Sequence, residues 1–170
     1  MANEISTEVN QFLNTLPDNR VSKSLVIAFQ KILPKTAISA GTALIMTRAL
    51  HSSGVVNLDT LTGSTVTLPP ATGSGAKYQF RVSVLATSNS HIVKTGGTDK
   101  LEGFATLMSA TNTVGMFAAV AGVGTTLTLN RTTTGSVTIG ELITVVDVAA
   151  GRYNMDAVLS NTGVVATPFS

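Results

Sequence analysis

The chain has 170 residues, of which only 12% are charged, with 11 basic and 9 acidic side chains, a net charge of +2 and no cysteine. That length suits one domain with a real core plus a short appendage, and the lack of cysteine excludes a disulfide framework or a thiolate metal site. The cations Lys77, Arg81, Lys94, Lys100, Arg131 and Arg152 are scattered singly, which argues against a nucleic-acid surface, where clustered Lys and Arg must neutralise several phosphates.

The opening MANEISTEVNQFLN lacks the basic-then-apolar order of a signal peptide, so signal-dependent secretion is not expected. Residues 1–35 read as an N-terminal arm. Ile5, Val9, Phe12, Leu13 and Leu16 recur at helical spacing, with Asn3 or Ser6 as a cap and Pro17-Asp18 as a break. A second helix is expected from Asn19 to Leu33, with Val21, Leu25, Phe29 and Ile32 on one side and Pro34 ending it. The run LVIAF at 25–29 suits a buried strand equally well. The stripe Ile5, Val9, Phe12, Leu16, Val21, Leu25 and Phe29 is the expected docking surface of the arm. Its spacing alone leaves open whether it packs on its own domain, on sister subunits or on a larger partner.

From residue 36 to 170 the pattern becomes that of a mainly β domain. Strands are expected near 42–50, 55–61, 64–68, 77–87, 90–95, 102–109, 113–121, 125–130, 136–147 and 152–160. The clearest is RYNMDAVL, where Tyr153, Met155, Ala157 and Leu159 alternate with polar or small residues. Turn signals SNS (88–90), TGGTD (95–99) and AAGR (149–152) punctuate the runs. Abundant Thr suits a pleated surface. Many short strands at this spacing point to a sandwich or barrel of jelly-roll type. The most apolar window, VGMFAAVAGVG at 114–124, is too short to cross a bilayer, so no membrane partner is expected. There is one internal echo: GSTVTLPPATGS at 63–74 resembles GTTLTLNRTTTGS at 124–136. A duplicated hairpin and convergence of two Thr-rich strands both explain it.

Residues that carry chemistry are sparse. No serine sits in a nucleophile elbow, and His51 and His91, the two histidines, read as surface or turn residues rather than bases. Two histidines forty residues apart form no local ligand pair. Asp99 and Glu102, flanking Lys100, read as a solvated turn rather than a calcium loop. Neither a P-loop nor a dinucleotide fingerprint is present. No catalytic, metal or cofactor residue is therefore assigned.

Three stretches, TVTLPPATGSGAKYQFRV, TSNSHIVKTGGTDKLEGFATL and ELITVVDVAAGRYNMDAVLSNTGVVATPF, resemble the small capsid decoration proteins of tailed bacteriophages, also called cement or head-fibre proteins. The likeness lies in the order of motifs over about residues 55–169 and does not cover the first 50. It departs at Tyr153, where a tryptophan is expected. What the resemblance implies is a β-barrel or jelly-roll module, usually a homotrimer. It would bind the major capsid protein on the outer surface of the virion and reinforce the shell, after manufacture in the bacterial host cytoplasm. An enzyme is not implied. Two other readings compete. One is a surface binding module, an adhesin or carbohydrate-binding sandwich taking a host-surface glycan, although sugar platforms usually want exposed aromatics. The other is a small hydrolase or lyase on a β-scaffold, which fold alone does not exclude.

A four-residue apolar stripe such as Ile5, Val9, Phe12 and Leu16 gains about 1.5–3 kcal/mol per side chain when covered, and a helix this short needs a partner surface to form. Deleting residues 1–34 is expected to leave a soluble β-rich domain with weakened self-association or shell binding, measured by light scattering and co-sedimentation. A truncated chain that does not fold would instead place the arm in the core of its own domain.

Overall fold

Alternation of aliphatic and hydroxyl side chains builds eleven strands between Ile38 and Asn161. The computed structural model describes residues 36–170; the predicted arm, with Ile5, Val9, Phe12, Leu16, Val21, Leu25 and Phe29, lies outside the described residues. The strands are β1 (Ile38–Ser39), β2 (Ala43–Ile45), β3 (Val55–Leu58), β4 (Thr65–Thr67), β5 (Lys77–Val82), β6 (His91–Lys94), β7 (Lys100–Ser109), β8 (Val114–Ala118), β9 (Thr126–Leu129), β10 (Leu142–Ala149) and β11 (Arg152–Asn161). A one-turn helix, α1 (Arg48–His51), sits between β2 and β3.

The fold is mainly β, as expected, and consists of two mixed sheets. The larger has seven strands in the order β1-β3-β5-β10-β11-β7-β8, and the smaller has four in the order β2-β4-β6-β9. The first six strands alternate between the sheets, and their neighbours within each sheet run parallel. The chain then reverses. β9 pairs antiparallel with β6, β10 pairs antiparallel with β5 and β11, and β11 lies parallel to β7. β10 is thus the central strand of the large sheet. It joins the parallel coil on one side to the β11-β7-β8 half on the other.

The core forms between the inward faces. Val56, Leu58, Phe80, Val82, Ile143, Val145, Met155 and Leu159 from the large sheet share one cluster with Val66, Val93, Leu127 and Leu129 from the small one. Each such side chain contributes about 1.5–3 kcal/mol by leaving water. Tyr78 and Tyr153 meet edge to face, with centroids 6.3 Å apart. The alternation read in RYNMDAVL is present: Tyr153, Met155, Ala157 and Leu159 are buried, and the residues between them are exposed.

Several strand limits differ from expectation. The predicted strand 42–50 stops at Ile45, because the His51 ring turns back to accept a hydrogen bond from the Thr47 amide (3.0 Å) and closes α1. The strand expected over 77–87 ends at Val82, where Ser83 and Val84 turn their amides onto the Leu58 carbonyl. The strand expected from 136 begins only at Leu142, since the amides of residues 136–138 donate to the Glu141 carboxylate instead of a ladder. The two echoing segments hold matched places: β4 and β9 flank β6, with Val66, Val93 and Leu127 in one row.

β7 reaches β11 closely at Gly103. Its φ is +121°, and a Cβ there would lie 1.9 Å from the Met155 carbonyl oxygen. Gly97 also has positive φ (+61°), but a Cβ would meet nothing within 4 Å. Gly97→Ala is expected to cost only the local backbone strain, about 1–2 kcal/mol. Gly103→Ala adds a clash that forces β7 and β11 apart, a loss of roughly 3 kcal/mol or more. Denaturant melts of the two variants measure the difference, and equal losses would contradict the close approach.

Candidate functional site

The buried carboxylates and histidines of the domain are engaged in holding loops and turns. The turn Thr72–Ser74 lies between β4 and β5, in a stretch rich in Pro and Gly that leaves several amides without strand partners. The buried Asp147 side chain, on β10, collects them. It accepts from the amides of Thr72 (3.0 Å), Gly73 (2.7 Å) and Ser74 (3.1 Å) and from the hydroxyls of Thr72 (3.2 Å) and Ser74 (2.6 Å). Burial alone would raise its pKa; the hydrogen bonds from Ser74, Gly73 and Thr72 outweigh this and hold it down at about 2.

At the other end of β10 the arrangement repeats. The buried Glu141 carboxylate accepts from the amides of Ser136 (2.7 Å), Val137 (2.8 Å) and Thr138 (2.8 Å) and from the Ser160 hydroxyl (2.7 Å). The echoed triplets Thr72-Gly73-Ser74 and Thr134-Gly135-Ser136 therefore each lie at a turn fastened by an acid at one end of β10, Asp147 within the strand and Glu141 just before it. Sequence reasoning missed both acids. The signal was present in the repeat of TGS, paired with two acids six residues apart in the ELITVVD run.

The remaining polar groups behave similarly. Tyr153 donates its hydroxyl hydrogen to the Pro69 carbonyl, and burial is the main cause raising its pKa. The two histidines are buried rather than on the surface. In His91, Nδ1 accepts from the Ser64 amide (2.9 Å) and Nε2 donates to the Val84 carbonyl (2.8 Å), which fixes the neutral tautomer. Burial lowers its pKa below the ordinary imidazole value. His51 is spent on Thr47. Asp99 and Glu102 do not converge: Asp99 accepts from the Ala71 amide (2.7 Å), while Glu102 pairs with Arg152 (3.6 Å). Among the described residues no three His, Asp or Glu side chains cluster closely enough to hold a metal ion.

What the clamped frame presents outward differs between the sheets. The outer face of the small sheet carries Thr65, Thr67, Ile92, Lys94, Thr126 and Thr128. The outer face of the large sheet carries an apolar patch towards β8. Val114 lies opposite Met108, Met116 opposite Thr106, and Ala118 opposite Phe104. Thr106 is followed across the sheet by Val158 and then Leu142. Met116 is 72% exposed, Phe104 56%, Met108 52% and Val158 52%. A groove of about 410 Å³ runs between Met108, Val158, Leu142 and Ile139. Exposed apolar side chains in singles are ordinary, but a contiguous patch marks a contact surface.

Asp147 has a folded pKa near 2 against 3.8 for the free group, so its clamp stabilises the fold fully above about pH 4. That stability, on the order of 2 kcal/mol, is lost as pH falls through the folded pKa. Asp147→Asn removes one acceptor oxygen and is expected to cost about 2–3 kcal/mol near neutral pH. It should also flatten the acid limb of the stability curve. Urea melts from neutral pH down to about pH 2 test both; a variant with unchanged stability and the same acid slope would contradict the clamp.

The chain matches no known protein-family model, no curated protein and no solved structure.

Proposed function

We propose that this protein is a structural component of a bacteriophage virion: a capsid decoration protein that assembles as a homotrimer, seats on the major capsid protein and stiffens the shell from outside. The observation that carries the reading is the apolar patch on the outer face of the large sheet, set on a frame whose buried carboxylates and histidines are committed to hydrogen bonds within the domain. Side chains so committed serve positioning rather than turnover, and an exposed apolar patch calls for a macromolecular partner.

The ordered motifs behind the resemblance support the same reading, because each takes a part in the frame. The TGSG turn is held by Asp147. Tyr153, where the chain departs from the expected tryptophan, still reaches the Pro69 carbonyl across the domain. The closing ATPF segment runs along β9, where the Thr128 amide donates to Pro168 (2.9 Å) and the Ser170 amide to Thr126 (3.0 Å). A mechanical role favours such cross-ties, since a cement must resist deformation without unfolding locally.

Mixing purified protein with undecorated capsid shells tests the proposal. The expected result is saturable co-sedimentation, regular density over symmetry positions of the shell in electron micrographs, and shells that withstand higher temperature once decorated. Protein that stays in the supernatant at concentrations of tens of micromolar, or that binds a glycan array instead, would overturn it.

A further inference from the structure

Sheet edges are normally shielded, because a row of unpaired amides and carbonyls templates further pairing. Three of the four edges here are managed. β1 and β2 are only two and three residues long. The β9 edge is covered by residues 168–170, which pair along it. The fourth edge, β8, is five residues long, and its far side has no strand partner among the described residues. It also lies in the middle of a stretch from Gly103 to Asn130 that contains no Lys, Arg, Asp, Glu or Pro. Neither a charge nor a proline blocks this edge, no described strand pairs with it, and the apolar patch begins at this strand.

Two charges interrupt that face. Arg81 lies beside Leu142 on β5, and Asp156 lies beside Phe104 on β11. Both are exposed, and neither has an ion-pair or hydrogen-bond partner among the described residues. They are two strands and one row apart, about 12 Å at ordinary strand spacing and rise, and they do not pair within one chain. A surface that offers one exposed anion and one exposed cation, neither paired within the chain, can pair with a second copy of itself.

We propose that the outer face of the large sheet, from the β8 edge to Leu142, is where copies of this chain bind one another, with Arg81 of one copy paired to Asp156 of the next. This rests on the assembly reading above and names the surface that performs it. Side chains such as Met116 and Phe104 pack against the neighbouring copy, and the groove between Met108 and Ile139 receives one of its apolar side chains. The charge pair sets the register, as opposite charges at interfaces do.

Analytical ultracentrifugation of the full chain without shells provides the test, with circular dichroism and thermal melts to show that the variants, all at exposed positions, remain folded. Wild type is expected to sediment as three 17.5 kDa chains, and Met116→Asp as a monomer. Arg81→Asp and Asp156→Arg should each weaken association by roughly tenfold or more, and the double variant should regain it. A wild-type chain that is monomeric at all concentrations would overturn both this inference and the trimer reading. An oligomer untouched by Met116→Asp would overturn the assignment of the face alone. So would a variant that keeps its oligomeric state but no longer binds shells, which would assign the face to the capsid. Single charge variants that dissociate without rescue in the double would overturn the Arg81–Asp156 pairing.

Discussion

One carboxylate holds the two halves of this domain in register. Asp147 sits towards the end of β10, the central strand of the large sheet, and takes three consecutive backbone amides from a turn more than seventy residues earlier in the chain. That turn links β4 of the small sheet to β5 of the large one. Without the acid, three consecutive amides of a Pro- and Gly-rich loop would lose their charged acceptor, and hydrogen bonds to a charged group are worth about 1.5–3 kcal/mol. Tyr153 on β11 and Asp99 before β7 fasten the same loop at Pro69 and Ala71. Glu141 repeats the device at the opposite end of β10. The central strand is therefore clamped at both ends by charges that the core shields from solvent.

This arrangement reconciles an otherwise odd composition. A chain so poor in charge must spread few ionic groups over its surface, and two of its nine acids, Glu141 and Asp147, are buried to hold loops. Hydroxyls solvate the outer face of the small sheet, while the outer face of the large sheet is left with Phe104, Met108, Met116 and Val158. On a flexible scaffold such a patch would invite aggregation. On a frame cross-tied at both ends it keeps one shape, and a fixed shape is what lets an apolar surface select one partner geometry.

The strands that bury one face were legible in the sequence, because period-two alternation is a direct consequence of half-burial. β11 is the plainest instance, and β3, β4, β6, β7, β8 and β9 fall where their alternating runs lie. What was not legible depended on contacts distant in sequence. β1 is too short to show a period. The end of β5 and the start of β10 are set by carbonyls and carboxylates that claim amides which would otherwise extend the ladder. His91 read as a surface or turn histidine, yet it is buried where it bridges the Ser64 amide and the Val84 carbonyl. β7 is apolar on both parities, with Leu101, Ala105 and Leu107 inward and Phe104 and Met108 outward. Its pattern therefore said that two faces are apolar without saying which one the domain itself covers. Strand order was beyond reach, because parallel pairing through alternating sheets leaves no local turn signal.

Methionine oxidation followed by mass spectrometry tests the central claim directly, because Met46 and Met155 are core residues while Met108 and Met116 lie on the outer face. Within a single chain the first two are 2% and 1% exposed and the second two 52% and 72%, so thioether access to peroxide should differ widely. If copies cover the outer face, the native full-length protein will protect Met108 and Met116 nearly as well as Met46 and Met155, and Met116 will become reactive in a chain dissociated by Asp156→Arg. Rapid oxidation of Met108 and Met116 in the native protein, with the core methionines untouched, would show the face open to solvent and contradict the account.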